Sequence, residues 1–167
     1  MNDSQKLSVY IETSVISYLT SKINRNLVVA AHQEVTQEWW EKRKGDFELY
    51  VSSIVIEEIM GGDEIAAQKR LEVVQGIKTL EPTSEVSDLA ALLIAKRIIP
   101  QKAAQDAIHL SIAAINKIDC LLSWNCKHIV NLEIIKKIAE VAQIEGFPLP
   151  IICTDRKSTR LNSSHLG

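Results

Sequence analysis

Only three cysteines occur in the chain, Cys120, Cys126 and Cys153, an odd number with no C-x-x-C pair among them. Neither a disulfide framework nor a zinc knuckle is indicated, and reduced thiols in a cytoplasmic protein are expected. Long apolar runs are missing too. No segment approaches the roughly 20 residues a membrane helix needs, and the opening MNDSQK has no signal-peptide character. There is no glycine-rich phosphate loop, so nucleoside-triphosphate chemistry is not expected. No repeat, low-complexity segment or linker interrupts the chain before residue 155. There the sequence changes character. DRKSTRLNSSH, residues 155–165, has no apolar periodicity and resembles the translated read-through of a sequencing adapter. Residues 155–167 are therefore set apart as a tail, leaving one domain over residues 1–154. The tail carries Arg156, Lys157 and Arg160 against Asp155, a net of +2, so the chain's −2 becomes −4 for the body. A mildly acidic body does not suit a protein that coats nucleic acid by charge alone, although it admits an enzyme with a local basic groove.

What is present is the composition of a globular domain, 46% apolar and 24% charged, arranged in alternating short strands and helices. LSVYI (7–11), ELYVS (48–52), KTLE (78–81), DCLLS (119–123) and LPIIC (149–153) read as strands. Helices are expected after the first strand, with Thr13 or Ser14 as N-cap, and over 27–44, with Val28, Ala31, Val35 and Trp39 on one apolar stripe. Others are expected from 53 to the GGD at 61–63, over 65–75, and after Pro82 with Val86, Leu89, Ala90, Leu93 and Arg97 at helical spacing. Two more run over 102–116 and from an Asn131 cap to about Glu145, with Gly146 just past the end. Strands alternating with helices imply a three-layer α/β/α sandwich around a mostly parallel sheet of about five strands. Sites in such folds form at the carboxyl ends of strands.

Several acids fall at such ends. Glu12 closes the first strand, between VYI and the hydroxyls Thr13 and Ser14. Glu57 and Glu58 follow VSSIVI. Asp106 lies in the apolar helix AAQDAIHLSIAAI with no Lys or Arg one turn beyond it, and Asn125 follows LLSW. An uncompensated buried carboxylate is costly. Oxygen ligands in a small cluster are what Mg²⁺ or Mn²⁺ require.

These segments, YIETSVISYL, VSSIVIEEI, AAQDAIHLSIAA and DCLLSWNCKHI, stand in an order that resembles the PIN-domain family of VapC-like ribonuclease toxins, over about residues 7–153. The resemblance implies metal-dependent endoribonuclease activity, the hydrolysis of an RNA phosphodiester by a small cluster of acids. It also implies a homodimer and inhibition by a cognate antitoxin protein. Carried over by position, the metal ligands are Glu12, Glu58 and Asp106, and Asn125 joins them as a catalytic residue. Thr13, Ser14 and Ser123 match the hydroxyls that line the pocket and touch substrate. Two departures stand out: Glu12 replaces the usual Asp, and the uncharged Asn125 stands where many members have a fourth acid. They motivate a second reading, a non-catalytic PIN-fold module that binds RNA or protein with weakened metal binding. A phosphatase fits less well, because that class places an Asp nucleophile after the first strand.

The simpler readings are these. Glu57 is a solvated helix residue. Asn125 suits a turn or cap as well as a site. His109, three residues after Asp106, is expected to be a core histidine with one hydrogen bond. His128 and Cys126 receive no role. Trp39 and Trp40 point to different faces of their helix, one to the core and the other to a surface or dimer interface.

Overall fold

The computed structural model describes residues 5–154, so the expectations placed on residues 155–167 lie outside the described residues. Five strands, β1 Ser8–Ile11, β2 Glu48–Ser52, β3 Lys78–Leu80, β4 Cys120–Leu122 and β5 Ile151–Cys153, form one sheet in the order β3-β2-β1-β4-β5. Every pairing is parallel. Seven helices among the described residues flank it: α1 Thr13–Thr20, α2 Leu27–Arg43, α3 Ser53–Ile59, α4 Glu64–Val74, α5 Ser84–Ala95, α6 Ala104–Ile115 and α7 Leu132–Glu145.

Successive side chains of a strand point to opposite faces. In β1, Val9, Tyr10 and Ile11 are all buried, as are Leu121 and Leu122 in β4, so the centre of the sheet is covered on both sides. This is the α/β/α sandwich the alternating pattern implies. Lys78 and Thr79 of the edge strand β3 are exposed. The chain builds outward from β1 to β2 and β3, then returns to add β4 and β5 on the other side. The strand order therefore reverses between β1 and β4, and in open α/β sheets ligands bind outside the strands' carboxyl ends at such a reversal.

Element ends follow local chemistry. The Asn131 side chain accepts from the backbone N–H groups of Glu133 and Ile134 at the start of α7, and Gly146 ends that helix at φ 76°, in the left-handed region. The helix after Pro82 stops at Ala95, and Arg97 lies beyond it with φ 59°. At α1 the cap differs from expectation. Glu12 occupies the N-cap position without a side-chain cap bond, because the Ser14 hydroxyl is engaged elsewhere.

The stripe expected on α2 is out of phase. Its buried residues are Gln33, Thr36 and Trp39, whereas Val28 is 63% exposed and Leu27 85%. Polar residues go inward because they find partners there. Gln33 Nε2 donates to Ser21 Oγ at 2.9 Å and to the Lys22 carbonyl at 3.0 Å, and its Oε1 accepts from the Asn24 N–H at 2.9 Å. Thr36 Oγ1 accepts from Trp124 Nε1 at 2.8 Å and donates to the His32 carbonyl at 2.7 Å. Trp39 is core, as one of the pair was expected to be. Trp40 is half-buried, with Lys44 Nζ 4.7 Å from its ring centre.

Candidate active site

Glu12 directly follows β1, at the carboxyl end of the strand where the order reverses. Its backbone N–H donates to the Leu122 carbonyl of β4 at 3.1 Å. The residue is 5% exposed, so its charge must be met locally. Oε1 accepts from the hydroxyls of Ser14 and Ser123, the latter at 2.6 Å. Oε2 accepts no hydrogen bond among the described residues. The two serines are themselves fixed by the segment after β4. Ser14 Oγ accepts from the Trp124 N–H at 2.8 Å, and Ser123 Oγ from the Asn125 N–H at 2.9 Å. Thr13, expected beside them, has a buried hydroxyl with no partner.

Asn125 works as a turn residue. Its Oδ1 accepts from the His128 N–H at 3.1 Å, and its carbonyl accepts from the N–H groups of Ile129 and Val130. The turn delivers His128, whose Nδ1 lies 3.0 Å from Asp106 Oδ2. Asp106 thus has a partner that its own helix does not supply. It sits in the first turn of α6, where the helix dipole favours an anion. A cavity of about 460 Å³ adjoins it, lined by Lys102, Ala103, Ala104, Gln105, Asp106, Lys127 and His128. Glu12, Glu58 and Asn125 do not line that cavity.

Glu58 lies near the end of α3, with Oε1 2.6 Å from Nε2 of the buried His109. His109 Nδ1 is 2.7 Å from Tyr10 Oη, which is 2.7 Å from Ser52 Oγ. Burial pushes the Tyr10 phenol well above its ordinary range. The Ser52 hydrogen bond opposes this, and the charges of Glu12 and Glu58 add to it, so Tyr10 is a neutral hydroxyl facing both acids. Glu57, by contrast, is exposed.

The site residues are thus linked in two runs. One passes from Glu12 through Ser123 and Asn125 to His128 and Asp106, and the other from Ser52 through Tyr10 and His109 to Glu58. The ion pairs of Lys and Arg among the described residues go to Glu38, Asp46 and Glu48, none of them in the site. Each of the three site acids has one oxygen held and one that accepts no hydrogen bond among the described residues. Hard oxygen donors left over beside a buried strand end, with no cationic side chain paired to them, fit a divalent cation in their chemistry. Among the described residues no three His, Cys, Asp or Glu groups stand close enough to hold an ion without moving. The acids are held instead by His109, His128, Ser14 and Ser123.

Two participants were not assigned from sequence. Tyr10 could have been found, since it stands two residues before Glu12 and so shares its face of β1, and a buried tyrosine hydroxyl needs a partner. His128 carries no such local signal, because its link to Asp106 spans 22 residues.

No family model matches the sequence, and no curated protein does. Solved structures do match. VapBC2 from Rickettsia felis, solved bound to a DNA fragment from its promoter, aligns over 89% of this chain and 98% of its own, with a TM-score of 0.58 and 16% identity. VapC20 from Mycobacterium tuberculosis, a sarcin-ricin-loop-cleaving toxin, aligns over 72% of this chain and 92% of its own, with a TM-score of 0.56 and 12% identity. The chain has the VapC fold. This is the PIN-like architecture the four sequence segments resemble. At identities this low the VapC likeness is one of backbone path, and the site has to be argued from the residues present. Among the described residues no helix is long and apolar enough to cross a membrane.

Proposed function

We propose that the chain is a Mg²⁺- or Mn²⁺-dependent endoribonuclease, the toxin of a toxin–antitoxin pair. One observation carries the reading: three carboxylates of a VapC fold, Glu12 after β1, Glu58 on α3 and Asp106 on α6, each keep an oxygen that accepts no hydrogen bond among the described residues, and none is paired to Lys or Arg there. These three would hold the ion. When bound, it would lower the pKa of a coordinated water and offset charge on the phosphate. Ser14 and Ser123 orient Glu12. The side-chain N–H₂ of Asn125, unused in its turn, can donate to a phosphate oxygen or a water. Thr13 keeps the substrate-side role its position implies only if its buried hydroxyl becomes accessible when substrate binds. Lys102 and Lys127 line the cavity at Asp106, and their charge there suits an RNA backbone that the acidic body as a whole would repel.

An antitoxin partner is supported by the VapBC likeness and by the exposed edge of α2. Leu27, Val28, Ala31 and Val35 line a groove of about 520 Å³ together with His32 and Trp124. The homodimer rests on the family resemblance, and sedimentation at high concentration tests it. A cytoplasmic location is part of the same reading. The second reading, a PIN-fold interaction module with weakened metal binding, draws on the separation of the acids. Cleavage of mixed RNA with metal and with chelator, beside metal titration by calorimetry, decides between the two: an enzyme cleaves and binds the ion, and a module binds it weakly and does not cleave.

A further inference from the structure

The partner of Glu58 is itself held from behind. His109 is fully buried and uses both ring nitrogens, Nε2 toward Glu58 and Nδ1 toward Tyr10. A carboxylate only accepts, so Nε2 carries the proton. In the neutral imidazole Nδ1 then accepts from the Tyr10 hydroxyl, and the Tyr10 oxygen accepts from Ser52. The result is a one-way relay, Ser52 to Tyr10 to His109 to Glu58. It leaves α3 at its N-cap, where Ser52 Oγ also accepts from the Val55 N–H at 3.2 Å, passes through β1 and α6, and returns to α3 near its end. A histidine serving the core alone has no need to aim its donor at an acid whose side chain is 25% exposed.

We propose that His109 is a positioning residue for Glu58: by holding Oε1 from a fixed point on β1 and α6, it leaves Oε2 to face the divalent ion. This rests on the metal reading above. Because Tyr10 lies on the strand that delivers Glu12, the relay sets one acid relative to the other. Partners behind a metal ligand typically carry about 10- to 100-fold in affinity.

The test is Mn²⁺ affinity of the full chain by calorimetry, with circular dichroism to confirm folding. His109→Phe, which keeps a ring and loses both hydrogen bonds, should weaken Mn²⁺ binding about 10- to 100-fold. His109→Gln retains an amide donor for Glu58 and should recover most of that loss. In a Glu58→Gln background, His109→Phe should cause no further loss, because its effect passes through Glu58. Equal losses in both backgrounds would show a general structural effect and overturn the proposal, as would wild-type affinity in His109→Phe. If His109→Phe fails to fold, Tyr10→Phe, which removes the hydroxyl that holds His109 Nδ1, carries the same cycle: a loss present with Glu58 and absent in the Glu58→Gln background supports the relay, and any other pattern removes it. Absence of Mn²⁺ binding by the wild type would instead remove the metal reading, and this inference with it.

Discussion

At the amino end of the β1–β4 pair an acid meets a serine, and at the carboxyl end it happens again. Asp119, just before β4, accepts through Oδ2 from the N–H of Ser8 at 2.8 Å and from its hydroxyl at 3.0 Å, while the Asp119 N–H donates to Ser8 Oγ at 2.9 Å. That pair is reciprocal, and Asp119 is exposed, so water satisfies the remaining oxygen. Glu12 also accepts from serines, yet it is 5% exposed, and its second oxygen accepts no hydrogen bond among the described residues. The parts are alike and the surroundings differ. A leftover acceptor in solvent costs nothing, whereas one beside a buried strand end calls for a partner from outside. Asp119 is therefore satisfied within the fold and by solvent, whereas Glu12 is the acid the proposed chemistry draws on.

Substitutions can break this contrast. The largest effect is expected at Glu12→Gln, which keeps the shape and removes a ligand charge. Metal-dependent RNA cleavage should fall by at least about 10²-fold, since the ion supplies several kcal/mol of transition-state stabilisation. The melting temperature should stay within about 4 °C of wild type. Thr36→Val probes a buried polar group whose partners are all internal. It strips Trp124 Nε1 of its acceptor and should cost about 1–3 kcal/mol in urea unfolding. Asp119→Ala should cost about 1 kcal/mol, or roughly 2–4 °C in melting temperature, and leave the cleavage rate intact. A cleavage defect there would erase the distinction between the two ends. Glu57→Gln, on the exposed side of α3, should change neither cleavage nor melting.

Much of the fold was legible because the strands are short apolar runs between turn signals, and β2 falls where ELYVS predicts it. The caps at Asn131 and Gly146 were legible for the same reason: their chemistry is local. The α2 stripe was not, because tertiary hydrogen bonds pull Gln33 and Thr36 inward and leave Val28 to solvent. At the site, the sequence pointed to Glu12, Glu58 and Asp106, yet it could not show what holds them. His128 reaches Asp106 only through the turn that Asn125 makes after β4. His109 was expected to be a core residue with one hydrogen bond, and its second bond, to Glu58, depends on α3 packing beside α6. Asp106 was read as having no basic partner. Since His128 faces it, neutralising Asp106 is not expected to stabilise the metal-free fold by relieving repulsion.

Whether these carboxylates cut RNA with a divalent ion is decided by cleavage of mixed RNA by wild type and Asp106→Asn, with Mn²⁺ and with chelator. Wild type should cleave with Mn²⁺ and stop on chelation, and Asp106→Asn should cleave under neither condition. Cleavage that survives chelation, or full activity in Asp106→Asn, would contradict metal-dependent cleavage by these acids.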